Sequence, residues 1–251
     1  MGKSSQNLII PVINPRKDCD FMNKQHPSAK SSYQAPINLI TPDVFEAYFS
    51  SLISGKKKNC YTVVEELMQN DCSITDVYIN LFQNSLYKVG KLWEANVVSV
   101  AVEHVATAIT EGLLALMYSK LSAMPKHGRK AVVACVSGER HQIGGRMVAD
   151  ILELHGWDSH YLGANTPNDD LLDMLETIRP DLLGLSLSLS DNKAKLLTLL
   201  HGVRTRYPHL CCITGGKGLS GNRLDLGIHG CIPILADIQE LDHFLRHHAN
   251  A

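Results

Sequence analysis

The spacing of apolar residues changes period once along the chain, near residue 125, and that change constrains the fold more than any other feature. Before it, apolar side chains recur every three or four residues. One set is Phe45, Tyr48, Phe49, Leu52 and Ile53; a second is Val64, Leu67 and Met68; a third runs through Val77, Leu81 and Leu86 towards Trp93. The fourth contains Val102, Val105, Ala106, Ile109, Leu113, Leu116 and Met117. This is the period of amphipathic helices. Thr41-Pro42-Asp43 supplies an N-cap with proline in the first turn, and Ser73 and Ser99 open the third and fourth helices. Gly55 and the lysines Lys56, Lys57 and Lys58 separate the first helix from the second, expected over residues 61–68. Four such helices with short joints predict an antiparallel bundle over residues 41–124.

After Pro125-Lys126-His127-Gly128-Arg129, short apolar runs alternate with helical stretches. Strands are expected over residues 131–136, 157–162, 181–189, 210–214 and 232–235. Helices are expected over 143–155, 166–178, 193–207 and 238–247. Alternating strands and helices predict a parallel sheet covered on both faces, with ligands at the carboxyl ends of its strands. The fold class is therefore α/β with an all-α cap: a four-helix bundle, then a Rossmann-like (flavodoxin-like) sheet over residues 129–251. Residues 1–40 carry Pro11, Pro15, Pro27 and Pro36 around one apolar stretch, Leu8-Ile9-Ile10-Pro11-Val12-Ile13, and read as an extended or disordered arm.

Composition excludes several function classes. Lys plus Arg is 24 against 25 for Asp plus Glu, without the basic surplus of a direct nucleic-acid binder. No uninterrupted apolar run approaches the ~20 residues that span a bilayer. Seven cysteines without Cys-x-x-Cys spacing fit reduced thiols in a cytoplasm and give no zinc site.

Two segments carry candidate chemistry. The first, Ser137-Gly138-Glu139-Arg140-His141-Gln142-Ile143-Gly144-Gly145, follows the first strand at the ligand edge. Its glycine spacing does not match the dinucleotide fingerprint. The pattern Glu139-x-His141-x-x-Gly144 resembles the Asp-x-His-x-x-Gly signature of corrinoid-binding domains, with glutamate for aspartate. Ser186-Leu187-Ser188 at the end of the third strand and Gly215-Gly216 at the end of the fourth fall where that family has its small-residue segments. Tyr161-Leu162-Gly163-Ala164-Asn165-Thr166-Pro167 is similar to its second-strand segment. The resemblance covers residues 129–248. It implies that His141 is the lower axial ligand of cobalt and that Glu139 holds its other ring nitrogen. That chemistry is sound, because a second carboxylate fixes the tautomer of a metal-binding imidazole and raises its basicity. It also implies cofactor contacts from Gly138, Gln142, Ile143, Gly144, Tyr161, Leu162, Gly163, Thr166, Ser186, Leu187, Ser188, Gly215, Gly216 and Lys217.

The second segment runs from Trp93 through Glu94 to Glu103-His104: a tryptophan, nine residues, then Glu-His. With residues 42–120 it resembles the helical cap of the light-sensing cobalamin repressors of carotenoid genes, the CarH and LitR type. This implies that Trp93, Glu103 and His104 border the upper, adenosyl group of the cofactor. That family carries a DNA-binding helix-turn-helix ahead of the bundle, and residues 1–40 are too short and proline-rich for one. In its best-known members a histidine follows the tryptophan and captures cobalt after light. Glu94 stands there, which leaves His104 or water for the upper site.

The expected function is a cobalamin-binding, light-responsive regulator rather than an enzyme. It would bind adenosylcobalamin, or a methyl or hydroxo form, with the cofactor's own base off and His141 on. Its output would pass through a partner protein, for instance a transcription regulator, as with cobalamin-binding antirepressors of photosynthesis genes, and its oligomeric state would respond to light. The rivals are a corrinoid methyl carrier of a methyltransferase system and a simple cobalamin carrier. A linear tetrapyrrole is a further conceivable chromophore, without a thioether cysteine pattern to attach it.

Overall fold

The computed structural model describes residues 39–219 and 234–248. The expected arm therefore lies outside the described residues, apart from its last two. Of these, Ile40 is buried in the bundle core rather than extended from it.

Helix α1 (Pro42–Ile53) begins where its cap predicts: the Thr41 hydroxyl accepts the Val44 N–H. Gly55 (φ +65°) ends the turn, and α2 (Lys57–Gln69) starts earlier than the apolar spacing suggested. Lys57 and Lys58 occupy its exposed first turn, where a good helix former needs no burial. The third helix is continuous but not uniform. A short turn, α3 (Ile74–Asp76), passes into a π-helical segment (Val77–Gln83) and then α4 (Asn84–Glu94). Five of the seven π residues are buried, and so dense an apolar run cannot reveal which helical period it follows. Helix α5 (Val100–Leu121) is the axis of the bundle and packs on α1, α2 and α4. By length and composition it would suffice to cross a membrane. It instead gives Ala106, Ile109, Leu113, Leu114, Met117 and Leu121 to the core, while Val105 and Leu116 are exposed.

The second half contains β1 (Lys130–Cys135), α6 (Ile143–Leu154), β2 (Asp158–Tyr161), α7 (Asn168–Ile178), β3 (Leu182–Ser186), α8 (Lys193–Arg206), β4 (Cys211–Gly215), β5 (Ile234–Leu235) and α9 (Ile238–His248). All pairings are parallel, in the order β2-β1-β3-β4-β5, the flavodoxin-like arrangement. Alternate residues of β1 serve two cores. Ala131 and Val133 face α6 and the bundle, whereas Val132 and Ala134 face α7 and α8. Strand β3 stops at Ser186, three residues before its expected end, because the N–H groups of Ser188 and Leu189 are claimed by the Glu139 carboxylate instead of a neighbouring strand.

Polar ties join the halves. The Tyr78 hydroxyl, in the π segment, donates to Asp150 on α6 (2.8 Å), and Arg146 donates to the other Asp150 oxygen (2.9 Å). Gln142, beside the start of α6, donates to Glu111 on α5 (2.6 Å).

Candidate cofactor site

The carboxyl ends of β1, β3 and β4 meet helices α4 and α5 around one cavity of about 960 Å³. That volume lies near the top of the roughly 300–1,000 Å³ range of small-molecule sites. The loop after β1 brings His141 to its wall, and the carboxylate of Glu139, fully buried, holds the loop from behind. Glu139 Oε1 accepts the His141 backbone N–H (2.9 Å) and lies 2.6 Å from the ring Nδ1. Its Oε2 accepts the N–H groups of Ser188 (2.9 Å) and Leu189 (2.8 Å). One carboxylate thus orients the imidazole and pins the end of β3 to the same loop. Nδ1 is committed to Glu139, so Nε2 is the nitrogen left to face the cavity.

These contacts set the charges. Burial acts to raise the Glu139 pKa, but the hydrogen bonds from His141, Leu189 and Ser188 outweigh it and hold it at about 2. The His141 pKa is raised by its bond to Glu139, against its own desolvation, with the nearby Glu103 carboxylate adding to the rise. The Cys135 thiol beneath the loop is pushed up to about 11 by burial.

Most residues anticipated from the sequence converge on this wall. Trp93, Glu103 and His104 contribute from the helices; His141, Gln142, Ile143 and Gly144 from the loop; Ser186, Ser188, Gly215, Gly216 and Lys217 from the sheet edge. Six others do not line this cavity. Gly138 (φ +84°) gives its N–H to the Asn165 side chain (2.7 Å), and a side chain there would collide with Lys195. The Tyr161 hydroxyl donates to the Gln142 carbonyl (2.7 Å). Leu162 packs into the core on the far face of the sheet. The Gly163 carbonyl accepts from the Cys135 N–H, and the buried Thr166 donates its own N–H to the Cys135 carbonyl. Leu187 is fully buried, its carbonyl accepting from Gly218. The paired glycines are also required differently than expected: at Gly216 (φ +114°) a Cβ would meet the Leu187 carbonyl at 2.3 Å, so backbone crossing demands glycine there.

Sequence reasoning missed several wall residues. Gly90 lies inside α4, where glycine costs a helix about 1 kcal/mol against alanine, and a Cβ there would meet nothing within 4 Å. A glycine three residues before Trp93 on an amphipathic helix was the available signal. Glu111, Thr107, Arg140 and Lys193 also line the cavity and carry no local signature. Glu94 faces it too, 3.7 Å from Lys217.

The cavity suits a large, flat, metal-centred ring. An imidazole whose second nitrogen is held by a carboxylate is a metal donor, glycines thin the wall at Gly90 and Gly144, and apolar helix residues face the sheet edge across the space. No cluster of three or more His, Cys, Asp or Glu able to hold a bare metal ion exists among the described residues. His141 alone would have to share the metal with the ring that carries it.

Comparison with known proteins agrees. Residues 129–230 match the B12 binding domain family, and residues 44–118 match a second B12 binding domain family. The HTH-type transcriptional repressor CarA of Myxococcus xanthus is 33% identical over 120 residues, 47% of this chain and 41% of the repressor. The repressor CarH of the same organism is 32% identical over 102 residues, 40% of this chain and 33% of its own. The matched region thus spans less than half of either relative. Among solved structures, the Methanosarcina barkeri monomethylamine corrinoid protein superposes with a TM-score of 0.70 at 15% identity, covering 80% of this chain and 96% of that one, a likeness of fold.

Proposed function

Starting from a chain that belongs to the B12-binding-domain proteins, in its helical and its sheet portions alike, we propose a cobalamin-binding, light-responsive regulator that signals through a partner protein. The observation that carries this reading is the sharing of one cavity by His141 from the sheet edge and by Trp93, Glu103 and His104 from α4 and α5. His141 would hold the cobalt through Nε2, oriented by the Glu139 carboxylate 2.6 Å from its Nδ1. The cap over residues 41–124 closes the upper face of the domain formed by residues 129–251. Trp93, half exposed at the cavity, gives a broad aromatic surface to a bulky upper group such as adenosyl, and suits it better than a methyl group awaiting transfer. The relationship to two transcriptional repressors favours regulation over methyl transfer.

When bound, adenosylcobalamin supplies a weak, light-absorbing cobalt–carbon bond. The chain's residues convert its state into shape. Trp93, Glu103 and His104, which line the cavity, would contact an upper group when one is bound, and its loss would remove those contacts and shift the population of bundle arrangements. Glu111–Gln142 and Tyr78–Asp150 tie that bundle to the sheet. The output reaches a cytoplasmic partner, for instance a transcription regulator, without direct DNA contact by this part of the chain.

The test is the absorption spectrum and sizing profile of the protein with adenosylcobalamin, in the dark and after green light, for wild type and His141→Ala. Dark-stable binding, a light-driven change to an aquo- or histidine-ligated cobalt(III) spectrum and an altered elution volume are expected. A bound spectrum whose illumination changes neither size nor shape would reduce the protein to a carrier or methyl-transfer component.

A further inference from the structure

The charges on the cavity wall are sorted by the half of the molecule that supplies them. The bundle contributes carboxylates, Glu94 at the end of α4 and Glu103 and Glu111 on α5, whereas the loops at the sheet edge contribute Arg140, Lys193 and Lys217. Each carboxylate on the wall is already engaged. Glu94 lies 3.7 Å from Lys217, Glu103 accepts the Thr107 hydroxyl (3.0 Å), Glu111 accepts Gln142 (2.6 Å), and Asp237, just before α9, accepts the Glu240 N–H (2.9 Å). Glu139, next to Arg140, has both oxygens filled by N–H groups. Among the described residues this leaves the Arg140 guanidinium and the Lys193 ammonium on the wall without an ion pair or hydrogen bond. Their segments touch, since a side chain on Gly138 would meet Asn192. Lys193 opens α8, whose first turn has no acidic residue and whose N-cap, the buried Asn192, makes no capping bond. Its Oδ1 accepts Lys195 Nζ instead (3.2 Å). The positive end of the helix dipole therefore adds to the two cations. Asp191, in the turn before α8, is exposed and does not line the cavity.

Two unpaired cations beside a helix start without a cap make a receptor for an anion. We propose that Arg140, Lys193 and the first turn of α8 receive the phosphodiester that links a cobalamin's lower base to its corrin ring. The proposal rests on the cobalamin reading above and adds a selection that His141 cannot make, because an imidazole recognises the metal and not the tail. The charge pattern agrees with it. A cobalamin is positive at cobalt(III) and negative at the phosphodiester on its lower side. The wall is negative on the bundle and positive at the sheet edge, beside His141, where the lower side is received. Arg140 precedes His141 directly, so the lower ligand and half of the anion receptor share one loop. The consequence is chemical specificity. Complete cobalamins, and corrinoids that carry a phosphate on the same side chain, are taken in preference to cobinamides, whose side chain ends in a neutral hydroxyl.

The experiment uses the full chain and measures affinity by absorption titration with aquocobalamin, cobinamide phosphate and cobinamide. Wild type, Arg140→Gln, Lys193→Gln and the double variant are compared, with far-UV circular dichroism confirming that each is folded. Wild type should bind cobinamide phosphate about tenfold more tightly than cobinamide, the order expected for two partly solvated charge contacts. Each single variant should cut that ratio about threefold, and the double variant should erase it. Added sodium chloride should shrink the wild-type ratio. Aquocobalamin should lose affinity in step with cobinamide phosphate. A wild-type ratio near one, or variants that weaken cobinamide as much as cobinamide phosphate, would overturn the proposal while leaving the His141 reading intact. Inorganic phosphate alone, titrated by calorimetry, should show no binding at micromolar concentration; binding there would assign the pair to a free anion and overturn the proposal too. Failure of all three corrinoids to bind wild type would overturn both readings.

Discussion

Replacing Glu139 by glutamine tests whether one buried carboxylate organises the site. Four N–H groups converge on it: the His141 backbone and Nδ1 on one oxygen, Ser188 and Leu189 on the other. Glutamine keeps the shape but offers one acceptor oxygen and one NH2. Whichever way the amide turns, its NH2 faces two donors, and at least two charge-assisted bonds are lost at about 1.5–3 kcal/mol each. Linkage gives a similar figure. Lowering a carboxyl pKa from 4.5 to about 2 is worth about 3 kcal/mol at 1.36 kcal/mol per pH unit. The sign follows from the depressed value: the stabilisation is whole above the unfolded pKa and is lost as pH falls towards about 2. Urea unfolding of the apoprotein at neutral pH should therefore show Glu139→Gln about 3 kcal/mol less stable. Its melting temperature should fall by about 6–12 °C, at 2–4 °C per kcal/mol for a chain of this size. The gap should narrow as both proteins are acidified below about pH 4. A difference under about 1 kcal/mol at neutral pH, or a gap that does not shrink in acid, would refute the reasoning.

Three further outcomes follow from the same geometry. Gly90→Ala should stabilise the apoprotein by about 0.5–1 kcal/mol in thermal melts, whereas Gly90→Phe should fold but lose cobalamin binding, because its ring enters the cavity; tight binding by the Phe variant would contradict the cavity assignment. Tyr78→Phe should cost about 1.5–3 kcal/mol in urea unfolding, the value of a bond to a charged partner, since it removes the donor to buried Asp150. Lys217→Ala should change apoprotein stability by no more than about 1 kcal/mol, as its contact with Glu94 is exposed; a larger loss would mean that this contact closes the cap.

The parts of the fold written in local chemistry were legible in the sequence. Thr41, Ser73 and Ser99 each accept an N–H of their helix, as capping residues predict, and the buried run in β1 announced a central parallel strand. The contact between His141 and Glu139 was readable from the resemblance of Glu139-x-His141-x-x-Gly144 to the corrinoid-binding signature, which implies that pairing. What stayed hidden depends on side chains brought together from far along the chain. Glu111 and Gln142 are 31 residues apart and Tyr78 and Asp150 are 72 apart, so neither tie leaves a spacing to recognise. The early end of β3 was equally unreadable, because its cause is the reach of Glu139, about 50 residues upstream. The residues of the Tyr161–Thr166 segment do not line the cavity, an outcome that depends on which way each side chain turns at the end of β2.

The central claim is that His141 supplies the lower nitrogen to cobalt. The most direct measurement is the electron paramagnetic resonance spectrum of cob(II)alamin bound to the protein, prepared once unlabelled and once with 15N-histidine. An axial nitrogen splits the cobalt lines into triplets when it is 14N and into doublets when it is 15N. The account predicts triplets for the unlabelled protein, doublets for the labelled one, and loss of both in His141→Ala. Triplets that persist in the labelled protein would mean that the cofactor's own base remains on cobalt, and the account would be wrong at its centre.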